Sequence, residues 1–110
     1  MPDKLKDFGY VYLIMAPDVG AMKVGKSRNP VDRLRAMQTG SPASLILAGM
    51  SFMHDVTKAE AYLHRKLRRY HLPGEWFRAR PMVVAWLRDL LSIGYGAPAC
   101  ACRRCRKLWV

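Results

Sequence analysis

Apolar residues in the first half of the chain come in short runs separated by turn formers. Gly9 to Met15 and Ala21 to Lys26 read as strands, and the turn-prone Ala16-Pro17-Asp18-Val19-Gly20 between them predicts a hairpin. Helical spacing begins directly after the second strand. Asn29 suits the cap, and Pro30 suits the first position, where a missing N–H costs nothing. Val31, Leu34 and Met37 then recur at the period of a helix and should face the sheet, with Arg33 and Arg35 projecting to either side. Gly40 and Pro42 end this helix. Ser44 to Met53 is a nearly continuous apolar run and predicts a third strand in a central or two-sided position.

The clearest amphipathic pattern runs from Val56 to about Tyr70. Val56, Ala59, Leu63, Leu67 and Tyr70 form one stripe, while Lys58, Arg65, Arg68 and Arg69 point away. Glu60 and His64 stand one turn apart where the apolar stripe meets the basic face. Pro73-Gly74 breaks the chain, and Glu75-Trp76-Phe77 reads as a short extended piece acting as a structural aromatic plug. A last helix is predicted from Pro81 to about Ser92, with Val83, Leu87, Leu90 and Leu91 inward. Gly94-Tyr95-Gly96-Ala97-Pro98 then leads into a basic, cysteine-bearing tail. These elements make a small α/β fold: a three-stranded, mainly antiparallel sheet flanked by helices. It forms a single domain over residues 9–93, with a lead-in over 1–8 and a tail over 94–110.

At 110 residues the chain is one domain by length and long enough for one hydrophobic core. Charge changes the picture. Nineteen Lys and Arg stand against eight Asp and Glu, a formal net charge of +11 with a pI near 10.2, which points to a polyanionic partner such as nucleic acid. No basic amphipathic helix stands apart from the core pattern, so a membrane surface is a poor match. No apolar run reaches the roughly 18 residues of a transmembrane helix. Met1-Pro2-Asp3-Lys4-Leu5-Lys6-Asp7 lacks the apolar segment of a signal peptide, so a cytoplasmic protein is expected. RNA recognition has no stacking motif of the usual kind behind it.

The predicted order places a phenol (Tyr12), ammonium groups (Lys23, Lys26) and a guanidinium (Arg33) at one end of a small sheet, a set suited to handling a phosphodiester. The same residues carry a resemblance. Tyr10-Val11-Tyr12, Lys23-Val24-Gly25-Lys26, Arg33 and Glu60 resemble, in order, the motifs of the GIY-YIG nuclease superfamily. Gln38-Thr39-Gly40-Ser41-Pro42, Leu63-His64 and Gly74-Glu75-Trp76-Phe77 are similar to its small phage-type T5orf172 branch. The resemblance implies a DNA endonuclease that uses one Mg²⁺ or Mn²⁺ ion. It gives Tyr12 the place of the first family tyrosine, Arg33 that of the catalytic arginine, and Glu60 that of the metal-holding glutamate. Two positions depart from the family: Tyr10 replaces the first glycine, and Lys23 replaces the second tyrosine. The rival reading is therefore a DNA-binding module of the same fold that has lost turnover.

Each residue also has an ordinary alternative. Tyr12 alone reads as a core tyrosine; a free phenol ionises near roughly pH 10, so a role in activating water requires positive charge beside it. Arg33 alone reads as a solvated helix arginine, although its planar fork suits a phosphate oxygen in a way lysine cannot imitate. Lys26 is a second candidate phosphate contact, and Lys23 can supply the electrostatic part of the missing tyrosine's role. Glu60 is one of only two glutamates in the chain; Mg²⁺ commonly takes one or two carboxylates plus water and phosphate oxygens. Its alternative is a surface pairing with His64. His64 is equally a phosphate contact, a proton shuttle or a satisfied flank histidine. Arg28, Arg35, Arg65, Arg68, Arg69, Arg103, Arg104, Arg106 and Lys107 are candidate DNA-backbone contacts. Cys100, Cys102 and Cys105 would hold zinc only with a fourth ligand such as His71, His54 or a second chain. Their spacing is short for a zinc finger, so a basic arm that tracks phosphates is the favoured reading of the tail.

Overall fold

The structure, a computed structural model, describes residues 7–91. Strand β1 (Gly9–Ala16) turns through a short 3₁₀ segment at Pro17–Val19 into β2 (Ala21–Ser27). Gly20 closes the turn in the left-handed region (φ 63°), which a side chain rarely adopts, and its N–H donates to the Pro17 carbonyl at 3.2 Å. The hairpin is in register along its length, from Tyr10 opposite Ser27 to Ala16 opposite Ala21. Strand β3 (Ile46–Met53) lies antiparallel on the other side of β1, with a register shift between Leu13 and Ile14.

A fourth strand corrects the expected count of three. Strand β4 (Phe77–Arg78) pairs antiparallel with Met22 and Ala21, giving the order β3-β1-β2-β4. Two residues are too few to show an alternation, so the piece looked merely extended in the sequence. The order also settles the position of β3. It is an edge strand rather than a central one, and its apolar run reflects helices packed on both faces of the sheet. Because β4 stops at Met22, no strand among the described residues pairs with the outer edge of β2 from Lys23 onward.

Side chains alternate across the sheet and divide the core in two. Val11, Leu13, Met22, Val24 and Met53 pack against α2 (Val56–Lys66) through Val56, Ala59 and Leu63, and against α3 (Pro81–Leu90) through Leu87. On the other face Tyr12, Ile14, Ala16 and Ala21 meet Leu34 and Met37 of α1 (Pro30–Thr39), with Leu45, Leu72 and Trp76. The caps are as expected: Asn29 accepts from the Asp32 N–H at 3.2 Å, and Gly40 donates back to the Met37 carbonyl. Val31 is the exception on α1 and stands exposed beyond the sheet.

The helix predicted to Tyr70 ends instead at Lys66, and a 3₁₀ turn follows at Arg68–Tyr70. The tighter turn, closed by Tyr70 N–H to the Leu67 carbonyl at 2.8 Å, keeps Leu67 buried and Tyr70 packed on the core. Helix α3 ends at Leu90, and Leu91 caps it on the Leu87 carbonyl. No helix among the described residues is long and apolar enough to cross a membrane.

The end of α3 presses on β3 at Gly49, where a Cβ would stand 2.5 Å from the Leu91 carbonyl oxygen. That contact is backbone on both sides and cannot be relieved by a rotamer change. Gly49→Ala should therefore destabilise the domain by about 1–3 kcal/mol. Gly40→Ala, at a site with nothing within 4 Å, should change it by much less. Urea denaturation of the two variants checks the contrast, and equal midpoints would refute the close packing.

Candidate active site

Tyr12 sits near the middle of the central strand and is 1% exposed. It lies directly opposite Gly25, and a Cβ built on Gly25 would overlap the phenol ring and its hydroxyl. The ring thus crosses β2 over the one position without a side chain, and the hydroxyl reaches the edge that β4 leaves open. No buried side-chain oxygen or nitrogen among the described residues lacks a hydrogen-bond partner, yet this hydroxyl makes no hydrogen bond there. It therefore keeps some contact with solvent.

Lys23 lies two positions before Gly25, on the same face of β2 as the phenol. Its side chain is only 7% exposed, and the ammonium donates to Glu75 Oε1 at 3.1 Å. Glu75 itself is 77% exposed. The Lys23 hydrogen bond and charge hold the Glu75 carboxyl below the usual carboxylate range against the opposing effect of burial, and Arg33 and His64 add to the lowering. Arg33, in the first turn of α1, and His64, on α2, are thus within electrostatic reach of one carboxylate. Lys23, on the phenol's face, is thus tied to Glu75, whose carboxylate also feels Arg33 and His64.

Glu75 reads as structural in the sequence, and its link to Lys23 spans 52 residues. A signal existed: a lysine facing inward on an apolar strand needs an acid, and carboxylates are scarce here. Trp76 and Phe77 do pack as the expected plug, Phe77 in the main core and Trp76 against the Tyr12 cluster.

His64 Nε2 is 2.6 Å from the Val24 carbonyl oxygen. A carbonyl only accepts, so Nε2 carries a proton and donates, satisfying an edge oxygen just beyond β4. Its ring lies 5.2 Å from that of Phe77. Glu60, one turn earlier on α2, is half-buried and makes no hydrogen bond or ion pair among the described residues. A pocket of about 360 Å³ opens here, lined by His64, Arg68, His71, Gly74, Glu75 and Phe77.

Lys26 stands apart from this group. One residue past Gly25, it points to the α2 side, where its ammonium donates to Thr57 Oγ1 at 2.7 Å, and that hydroxyl donates to Asp7. Arg28 stacks on Phe8 at 4.2 Å, and Arg35 pairs with Asp32 at 3.3 Å. Arg65, Arg68 and Arg69 are exposed, with Arg68 on the pocket rim. Arg103, Arg104, Arg106, Lys107 and the three cysteines lie outside the described residues. Among the described residues no group of three His, Cys, Asp or Glu side chains is arranged to hold a metal ion.

The Lys23–Glu75 pair gives a pH-dependent expectation. A carboxylate whose folded pKa is depressed stabilises the protein above its unfolded pKa, near about 4.3, and loses that effect as pH falls through the folded value. Glu75→Gln should lower stability slightly at pH 7, by less than about 1 kcal/mol because the carboxylate is exposed, and the deficit should be smaller at pH 3. Denaturant titration of both proteins at the two pH values measures it; a deficit independent of pH would assign the effect to shape rather than charge.

The T5orf172 domain matches the chain over residues 9–93. No curated protein and no solved structure is significantly similar to it.

Proposed function

The chain belongs to the T5orf172 domain family, whose fold is nuclease-like and DNA-binding in character, and from that premise we propose that it is a metal-dependent DNA endonuclease. The observation that carries the reading is the phenol of Tyr12, buried to its hydroxyl and laid over Gly25 on the face of β2 that also carries Lys23. Hydrolysis of a phosphodiester requires an activated water, neutralisation of phosphate charge and help for the leaving oxygen.

Arg33 holds a non-bridging phosphate oxygen through its paired N–H groups. Tyr12 accepts a hydrogen bond from the attacking water at its phenol oxygen and, once its own proton has passed to solvent, takes the water's proton and is restored as the phenol. Lys23, paired with Glu75, supplies positive charge where the family has its second tyrosine. The residues fit one hard cation. Glu60 is half-buried with its carboxylate uncommitted among the described residues, whereas Glu75 is already engaged by Lys23. A Mg²⁺ or Mn²⁺ ion there would neutralise phosphate charge and stabilise the leaving oxygen. His64, bound to the Val24 carbonyl, acts as an edge cap that keeps α2, and so Glu60, against β2. The phosphate-tracking role of the tail and a role for its cysteines in zinc binding are separate proposals.

A second reading has one specific observation in its favour. Lys23 replaces a tyrosine, and its charge is already balanced by Glu75, which suits a DNA-binding module without turnover. Nicking of supercoiled plasmid with and without Mg²⁺ separates the two. The endonuclease reading expects Mg²⁺-dependent nicking that Glu60→Gln abolishes while the fold survives; wild-type nicking by that variant would remove Glu60 from the site.

Arg33→Lys keeps a charge but loses the paired donors. It should depress kcat by at least about tenfold while changing DNA affinity much less. Equal losses in both would make Arg33 a docking residue.

A further inference from the structure

A second concavity of about 800 Å³ lies between β4 and α3, lined by Arg69, Tyr70, His71, Arg78, Arg80, Pro81, Met82 and Val83. No acidic residue lines it, and neither Arg78 nor Arg80 has an acidic partner among the described residues. Tyr70, Pro81, Met82 and Val83 give the lining an apolar side beside the arginines, and further apolar surface is exposed along α3 outside the groove. Met82, in the first turn of α3, is 86% exposed, and Trp86, one turn further on, is 40% exposed. His71 lines both this groove and the smaller pocket that contains Glu75 and His64. The two concavities are therefore neighbours that meet at His71.

We propose that this arginine-rimmed groove binds an unpaired DNA strand that leads away from the scissile phosphate. The inference rests on the reading that the substrate is DNA, and it adds a preference for substrates with a single-stranded flank. The chemistry favours that occupant. Duplex DNA presents phosphates and sugars to a protein edge, which would engage the arginines but leave Met82 and Trp86 in water. An unpaired strand satisfies both features: its phosphates lie along Arg69, Arg78 and Arg80, and its base faces cover the thioether and the indole. A second copy of this chain is a poor occupant, because a protein of net charge +11 would bring its own positive field to a rim already made of arginines.

Binding without turnover tests it. Fluorescence anisotropy in EDTA compares a blunt duplex with the same duplex carrying an unpaired tail. The tail should tighten binding to the wild-type chain by about tenfold, in the range of one stacked base. The Arg78→Ser/Arg80→Ser variant should lose most of that advantage, and its salt slope on tailed DNA should fall by about 1.4, as two lost single-strand phosphate contacts require. Trp86→Ala should cut the tail's advantage with little change on blunt duplex. All three positions are at the surface, and circular dichroism verifies that the variants remain folded.

Equal affinity of the wild-type chain for blunt and tailed DNA overturns the proposal. So does a double variant weakened equally on both, which would mark the groove as an ordinary duplex contact. Self-association through this face, seen in sedimentation and abolished by Trp86→Ala, also overturns it. Absence of any DNA binding would defeat the inference together with the DNA reading. A chain that prefers tailed DNA yet never nicks plasmid supports the groove and defeats only the endonuclease reading.

Discussion

The phenol of Tyr12 can cross β2 only because residue 25 has no side chain, and the layout of the site follows from that contact. With Tyr12 opposite Gly25, the alternation of the strand sends Lys23 to the phenol's side and Lys26 to the other. A slip of one residue in the hairpin would exchange the two faces, putting Val11 and Leu13 under α1 and the phenol into the core beneath α2. The register is held against that slip by seven paired positions and by a turn whose Gly20 alone tolerates its backbone angle. Packing and chemistry thus share one geometric requirement.

Charge imposes the second constraint. Burying an ammonium group costs several kcal/mol unless it is paired, and Lys23 is buried in a protein where acids are few. The solution is asymmetric. Lys23 lies within the fold while Glu75 remains in water on the segment that leads into β4. Leaving the carboxylate hydrated avoids desolvating a second ion, and the bond still fixes the position of the lysine.

The stretch from Leu67 to Arg78 links these features. It ends the long helix early, tightens through a 3₁₀ turn, and returns to add two residues to the sheet. Because β4 is so short, most of the outer edge of β2 stays open, and His64 rather than another strand satisfies the Val24 carbonyl. The same stretch supplies Arg68, His71 and Glu75 to one pocket, and Arg69 and Tyr70 to the other. A longer fourth strand would have covered the edge where these groups meet.

The hairpin, the caps at Asn29 and Gly40 and the apolar stripe of α2 were legible in the sequence, because each depends on neighbours within a few residues or on a simple period. The ordered motif residues that resemble the family were legible for the same reason. Even the separation of Lys26 from Lys23 was implicit in the alternation of a strand. The sequence did not contain, in any local form, the placement of β3 at an edge, the pairing of β4 with β2, or the turn of Glu75 toward a lysine 52 residues away. Those depend on which sheet edge each segment reaches once the helices have packed. Periodicity describes the face a residue occupies within its own element, whereas partners across the fold are chosen by docking, and docking exists only in the assembled structure.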